Sequence, residues 1–191
     1  MRVTSLDGLG ALASILTEAN LLGPGAVRFG APDMVILNSG GPATHLAENS
    51  ILSGPTNTRV VIRQPQNMIK GDANNALEGR IHILDEKPIL TAEVEEWKHG
   101  CWYHRNIISA SSLGDLMNNL KHLTPNEKLN LGSHNLPSGA FWAGSIAYDM
   151  VQWTQPISLF KQPNSGDVIA IFWLVEDYVV HNVESDQYTV Y

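Results

Sequence analysis

One run late in the chain, Phe141-Trp142-Ala143-Gly144-Ser145-Ile146-Ala147-Tyr148-Asp149-Met150-Val151, constrains the fold more than any other stretch. Residues 140 to 147 are apolar or small almost without a break, which suits a strand buried on both faces. The run then meets the Tyr148-Asp149 pair, so the strand is expected to end there. Glycine inside a strand weakens it unless space is needed. Ala143, Gly144, Ser145 and Ala147 therefore predict a close approach by another backbone or a large side chain. On residue chemistry alone this is a tight core strand followed by a turn.

The 191 residues are 43% apolar and 16% charged, enough for a sizeable core and too apolar for a disordered chain. A single domain over residues 1–191 is expected. A formal charge of -7 with no cluster of Lys and Arg leaves nothing to grip a phosphate backbone, so nucleic acid is not an expected partner. Cys101 is the only cysteine, which rules out an intrachain disulfide framework. The start, Met-Arg-Val-Thr-Ser-Leu-Asp, lacks the apolar core of a signal peptide. No apolar run approaches the ~20 residues that span a bilayer. The expectation is a cytoplasmic protein without a membrane partner.

In chain order, Leu9, Leu12, Ile15, Leu16 and Ala19 recur at helical spacing behind Ser5 or Asp7, and Gly23-Pro24-Gly25 stops that first helix. A strand is expected over Met34 to Leu37, and residues 40–47 read as a loop. Further strands fall at about residues 58–63, 79–84 and 89–94, most simply a meander. Residues 111–123 return to helical spacing through Leu113, Leu116, Met117 and Leu120, capped by Ser111 or Ser112 and ended by Thr124-Pro125. Residues 126–138 are polar and turn-rich, and residues 162–167 carry the turn chemistry of a later loop. Val168 to Val175, Tyr178 to Val183 and Tyr188 to Tyr191 are expected as hairpin-like strands. The fold class that follows is α+β, antiparallel sheet with two main helices.

Few residues carry obvious chemistry. His99, Cys101 and His104 are the best metal candidates, but an extended strand puts residues 99 and 101 on one face and 104 on the other, with no fourth ligand nearby. No metal site is assigned. Nothing visibly lowers the pKa of Cys101, and a free cysteine is more often a small buried hydrophobe. The glycines at 8, 10, 23 and 25 do not form a phosphate-binding loop. Glu93, Glu95 and Glu96 read as a solvated edge rather than an acid/base pair. No catalytic residue is assigned.

The 141–151 run resembles the aromatic-x-Gly-Gly-x-x-(small)-Tyr-Asp segment of the N-terminal domain of anthranilate synthase component I and of the related aminodeoxychorismate synthase. Three more segments follow that family's order. Val35-Ile36-Leu37-Asn38-Ser39 resembles its Leu-Leu-Glu-Ser strand, Ser50-Ile51-Leu52 its Ser-aliphatic run, and Phe172-Trp173-Leu174-Val175-Glu176 its late aromatic strand. The resemblance covers the chain from about residue 33 onward, with Gly144, Tyr148 and Asp149 as its structural motif.

The resemblance implies a non-catalytic domain that scaffolds and regulates a chorismate-using lyase of tryptophan biosynthesis. Chorismate and magnesium would be held by a separate catalytic domain or chain that begins where this chain ends, so no cofactor is expected here. A glutamine amidotransferase subunit would be a further partner. Effector-binding residues would be Asn38, Ser39 and Asn49. Asn38 stands where the family has an acid and Asn49 where it has a basic residue, which removes two charges a tryptophan zwitterion would use. A free-standing ligand- or protein-binding module is the competing expectation, and an enzyme centred on His99, Cys101 or Asp149 has least support. Phe172, Trp173, Tyr188 and Tyr191 are expected nearest an uncovered surface that favours a homodimer or a catalytic partner.

Overall fold

In the computed structural model the described residues are 32–39, 48–65, 89–125, 139–155, 159, 163–185 and 187–191. The first expected helix, the 40–47 loop, the 79–84 strand and the 126–138 segment lie outside them. The strands are β1 (Ile36–Leu37), β2 (Asn49–Ser53), β3 (Thr58–Arg63), β4 (Leu90–Lys98), β5 (Cys101–Ala110), β6 (Phe141–Ile146), β7 (Val168–Val175), β8 (Tyr178–Asn182) and β9 (Gln187–Val190). One α-helix, α1 (Leu113–Leu123), and a 3-10 helix, Tyr148–Trp153, complete the described elements. Every strand pair is antiparallel, giving a four-stranded sheet ordered β1-β2-β8-β9 and a five-stranded sheet ordered β5-β4-β3-β7-β6. The α+β class expected from the sequence is what is found.

β3 and β4 fall on the strands expected at 58–63 and 89–94, while β5, which was not expected from the sequence, adds a third antiparallel strand beside β4. His99 and Gly100 have φ of 50° and 86°, the positive values that a type I′ hairpin turn requires and that suit the twist of its strands. Trp97 and Trp102 face each other just behind that turn, edge to face with ring centroids 5.4 Å apart. Between Val94 and Glu95 the register shifts, because Glu95 pairs with His104 while Val94 pairs with Asn106. Arg105 is the extra, bulged residue.

Val60 and Ile62 of β3, Leu90, Ala92 and Val94 of β4, and Phe172 of β7 turn one face of the larger sheet into the main core. Helix α1 covers it with Leu116 and Leu120, both essentially inaccessible and each stabilising the fold by roughly 1.5–3 kcal/mol through burial. Ser112 caps the helix, its Oγ accepting from the Asp115 N–H at 3.1 Å. Asp115 in the first turn and Lys121 and His122 in the last complement the helix dipole. Thr124 is extended (φ -72°, ψ 132°), as the residue before a proline prefers, and ends the helix. Trp142 of β6 then donates its indole N–H to Leu120 O and Thr124 Oγ1, at 3.1 and 2.9 Å, tying the helix end to the sheet edge.

A second core lies between the sheets, where Ala143 and Val175 meet Tyr178 and Val180, with Val35, Ile51 and Phe141 packed around them. Tyr178 is fully buried, edge-on to Phe141 and stacked on Tyr191. Burial, and then the neighbouring Tyr191 hydroxyl, push its phenol above the usual tyrosine range.

Several expectations need correction. β6, whose only strand neighbour among the described residues is β7, leaves Gly144, Ser145 and Ile146 exposed and is not a strand buried on both faces. β7 and β8 are not a hairpin: after Glu176 and Asp177 the chain passes from one sheet to the other. Glu93, Glu95 and Glu96 lie on an interior strand and pair with Arg63, Arg59 and Lys98 rather than forming a solvated edge. Cys101 is exposed at the hairpin end, not buried. Phe172 lies in the core at 5% exposure, leaving Tyr188 and Tyr191 as the accessible aromatics of the expected surface. Among the described residues no helix is long and apolar enough to cross a membrane.

Candidate functional site

The ladder between β1 and β2 pairs Ile36 with Leu52 and Leu37 with Ile51. Extending that register by two residues places Asn38 beside Ser50 and Ser39 beside Asn49. The side chains are bonded accordingly. Ser39 Oγ donates to the Asn49 carbonyl at 2.6 Å, the Ser39 N–H donates to Ser50 Oγ at 3.0 Å, and Ser50 Oγ donates to Asn38 Oδ1 at 3.3 Å. The three residues singled out as effector-binding thus converge at one end of the smaller sheet.

The network continues into β8, which pairs Asn49 with Asn182. Asn182 Oδ1 accepts from both the N–H and the hydroxyl of Ser185, each at 2.8 Å, an arrangement that holds the turn after β8. A backbone N–H can only donate, so Asn182 must present its oxygen to Ser185 and its Nδ2 to Asn49. The Asn182 Nδ2 donates to Asn49 Oδ1 at 3.2 Å, which engages the Asn49 oxygen rather than its Nδ2. Neither the Asn38 nor the Asn49 amide N–H2 group has a hydrogen-bond acceptor among the described residues. Asn38, Ser39, Asn49, Ser50 and Asn182 are themselves uncharged, and the donors they offer suit a carbonyl or carboxylate oxygen. Glu48 stands next to Asn49, its carbonyl accepting the Val183 N–H at 2.8 Å.

A second polar cluster was not visible in the sequence. Arg59 of β3 donates through Nε to Glu95 Oε2 at 2.6 Å and through Nη1 to Asp33 Oδ2 at 3.0 Å, while its guanidinium lies 4.2 Å from the Trp102 ring centroid. Asp33 Oδ2 also accepts the Trp173 indole N–H at 2.8 Å. The Asp33 carbonyl accepts both the N–H and the hydroxyl of Thr56. Two carboxylates and an indole ring engage the guanidinium, so the cluster is a fastener between the segment before β1 and the larger sheet. Alternation in β3 and β4 marks Arg59 and Glu95 as sharing a face, but nothing local pairs Asp33 with a tryptophan 140 residues away.

The remaining motif residues lie in the other sheet. Gly144 is on β6 opposite Phe172, and Tyr148 and Asp149 open the 3-10 helix, Tyr148 being 82% exposed. The expected close approach at Gly144 is real: a Cβ there would collide with the Phe172 ring and the Ile171 carbonyl oxygen. His99 is in the turn while Cys101 and His104 are on β5, and the described residues contain no group of three or more His, Cys, Asp or Glu able to hold a metal. Compared with known protein families, curated proteins and solved structures, the chain matches none.

Proposed function

We propose that this chain is a non-catalytic scaffolding and regulatory domain of the anthranilate synthase component I type, which supports a chorismate-using catalytic domain or chain in the cytoplasm. The observation that carries the reading is the meeting of Asn38 and Ser39 with Asn49 and Ser50 on adjoining strands. Two motif fragments that are separate in the sequence thereby form one polar corner. Magnesium, chorismate and contact with a glutamine amidotransferase belong, on this reading, to the catalytic partner. The expected behaviour of the purified chain with chorismate, magnesium and either glutamine or ammonia is no anthranilate fluorescence. Addition of a chorismate-binding catalytic chain should give a complex on size exclusion. Product formed by the chain alone, or failure to bind any such chain, would overturn the reading.

The open Asn38 and Asn49 amides favour a second reading, a free-standing module for a small ligand bearing a carboxylate or carbonyl. Asn38 and Asn49 stand where the resembled family has an acid and a base, so calorimetry with tryptophan should show no micromolar binding. A carboxylate ligand whose heat is lost in Asn49→Ala, with no catalytic chain bound, would favour the module.

A further inference from the structure

The side-chain hydrogen bonds at the end of the smaller sheet have a direction, and a backbone N–H sets it. Asn182 of β8 and Asn49 of β2 are half-buried and directly opposite each other across the ladder. The N–H and the hydroxyl of Ser185 both donate to Asn182 Oδ1 at 2.8 Å. The N–H has no other role to play, so the Asn182 oxygen is committed to Ser185 and its Nδ2 to Asn49 Oδ1, at 3.2 Å. Ser39 holds the same residue by its main chain, its Oγ donating to the Asn49 carbonyl at 2.6 Å. The Asn49 amide therefore has its oxygen engaged and keeps Nδ2 for another acceptor.

Asn38 is under no such constraint. Its partner, Ser50 Oγ, receives the Ser39 N–H at 3.0 Å and lies 3.3 Å from Asn38 Oδ1. A hydroxyl that accepts one N–H still has a hydrogen to give and a second lone pair, so it pairs with either end of an amide. Of the two amides at this corner, only that of Asn49 has its orientation dictated by the fold.

We propose that Asn182, locked by Ser185, sets the polarity of the corner: it makes Asn49 a donor, so the ligand atom that Asn49 recognises is an acceptor oxygen of the carbonyl or carboxylate kind and not an ammonium or hydroxyl hydrogen. The inference rests on the ligand-binding reading of this corner. Asn182 is a positioning residue, because it acts on a ligand only through Asn49. Replacing its amide by a carboxylate reverses the relay. In Asn182→Asp one oxygen keeps Ser185, while the other faces Asn49 Oδ1 at a distance where two acceptors repel. The Asn49 amide then turns, gives its Nδ2 to the new carboxylate and presents its oxygen instead. Were Asn182 needed only to hold the turn, this substitution would leave Asn49 as it is, since Ser185 keeps its acceptor.

Side-chain NMR reads the relay without any ligand. In the parent chain the Asn182 amide protons should show NOEs to the Asn49 side chain and none to the Ser185 N–H, and the Asn49 Nδ2 protons should exchange freely with water. In Asn182→Asp one Asn49 Nδ2 proton should move downfield and exchange about tenfold more slowly, as a charge-assisted hydrogen bond forms. The probe for binding is N,N-dimethylacetamide, a neutral carbonyl acceptor that neither the adjacent Glu48 nor the new carboxylate repels by charge. It should shift the Asn49 amide protons of the parent chain, with an affinity that falls about tenfold in the variant. An Asn49 amide unchanged in a folded Asn182→Asp chain, or probe binding that the variant keeps, would overturn the proposal. If the aspartate variant does not fold, the parent chain decides, because NOEs from the Asn182 amide protons to the Ser185 N–H would mean that the relay runs the other way. A relay that reverses as described, with a probe that leaves Asn49 of the parent chain unmoved, would instead sink the ligand-binding reading.

Discussion

Trp173 donates its indole N–H to Asp33 at 2.8 Å across 140 residues of sequence, and the same carboxylate oxygen receives Arg59. One oxygen thus fixes the segment before β1 against two strands of the larger sheet. Replacing it leaves a half-buried indole and a guanidinium short of one acceptor.

Asp33→Ala is expected to lower stability by about 1–2 kcal/mol, a modest figure because the Asp33 side chain is 40% exposed and solvent screens part of the ion pair. Asp33→Asn keeps an acceptor for the indole and should recover about half of the loss. Urea unfolding followed by tryptophan fluorescence measures both. Equal stability of Asp33→Ala and the parent would show that the fastener contributes nothing.

Gly144→Ala should cost more, about 2–3 kcal/mol, although the residue is exposed. The added Cβ strikes the Phe172 ring, which can turn, and the Ile171 carbonyl oxygen, which cannot without disturbing the β6–β7 ladder. Gly166→Ala is the contrast: nothing lies within 4 Å of its Cβ, and only its φ of +84° resists, a penalty of roughly 1–2 kcal/mol. Denaturant midpoints at one fixed protein concentration should rank the two variants in that order.

The Ser111 hydroxyl, and after it Ser112, hold the Asp115 carboxyl below the usual carboxylate range. A lowered folded-state value means that the group favours the folded state fully above the ordinary aspartate pKa. The contribution is lost as pH falls through the lowered value. Carbon-detected NMR titration should place Asp115 below a free aspartate, and Ser111→Ala should raise it more than Ser112→Ala does. A normal Asp115 titration in the parent chain would contradict the cap geometry.

Local signals were read well where local physics decides. α1 begins behind Ser112 and ends at Thr124-Pro125, and β3 runs over Thr58–Arg63, because capping, spacing and proline act within a few residues. Pairing across distance was not legible. The apolar runs at 168–175 and 178–182, separated by Glu176-Asp177, have the look of a hairpin, yet each finds its neighbours elsewhere. Small residues made β6 look buried on both faces, although Ala143 alone of Ala143, Gly144, Ser145 and Ile146 is buried. In the polar corner, Asn38, Ser39 and Asn49 came into view through a resemblance of short motifs. Asn182, which orients Asn49, lies 133 residues further along and gave no sign of doing so.

The passage from β7 to β8 through Glu176 and Asp177 also governs the order in which the molecule can assemble. Among the described elements β3, β4 and β5 follow one another in order and can pair as they are made, but β2 meets β8 only after more than half the chain has followed it. The loop-closure entropy of that contact must be met before its ladder returns anything. Because β7 and β8 are interior strands of different sheets joined by two residues, both sheets are completed by the same late segment. A newly made chain therefore carries an unfinished smaller sheet until β8 has emerged to meet β2.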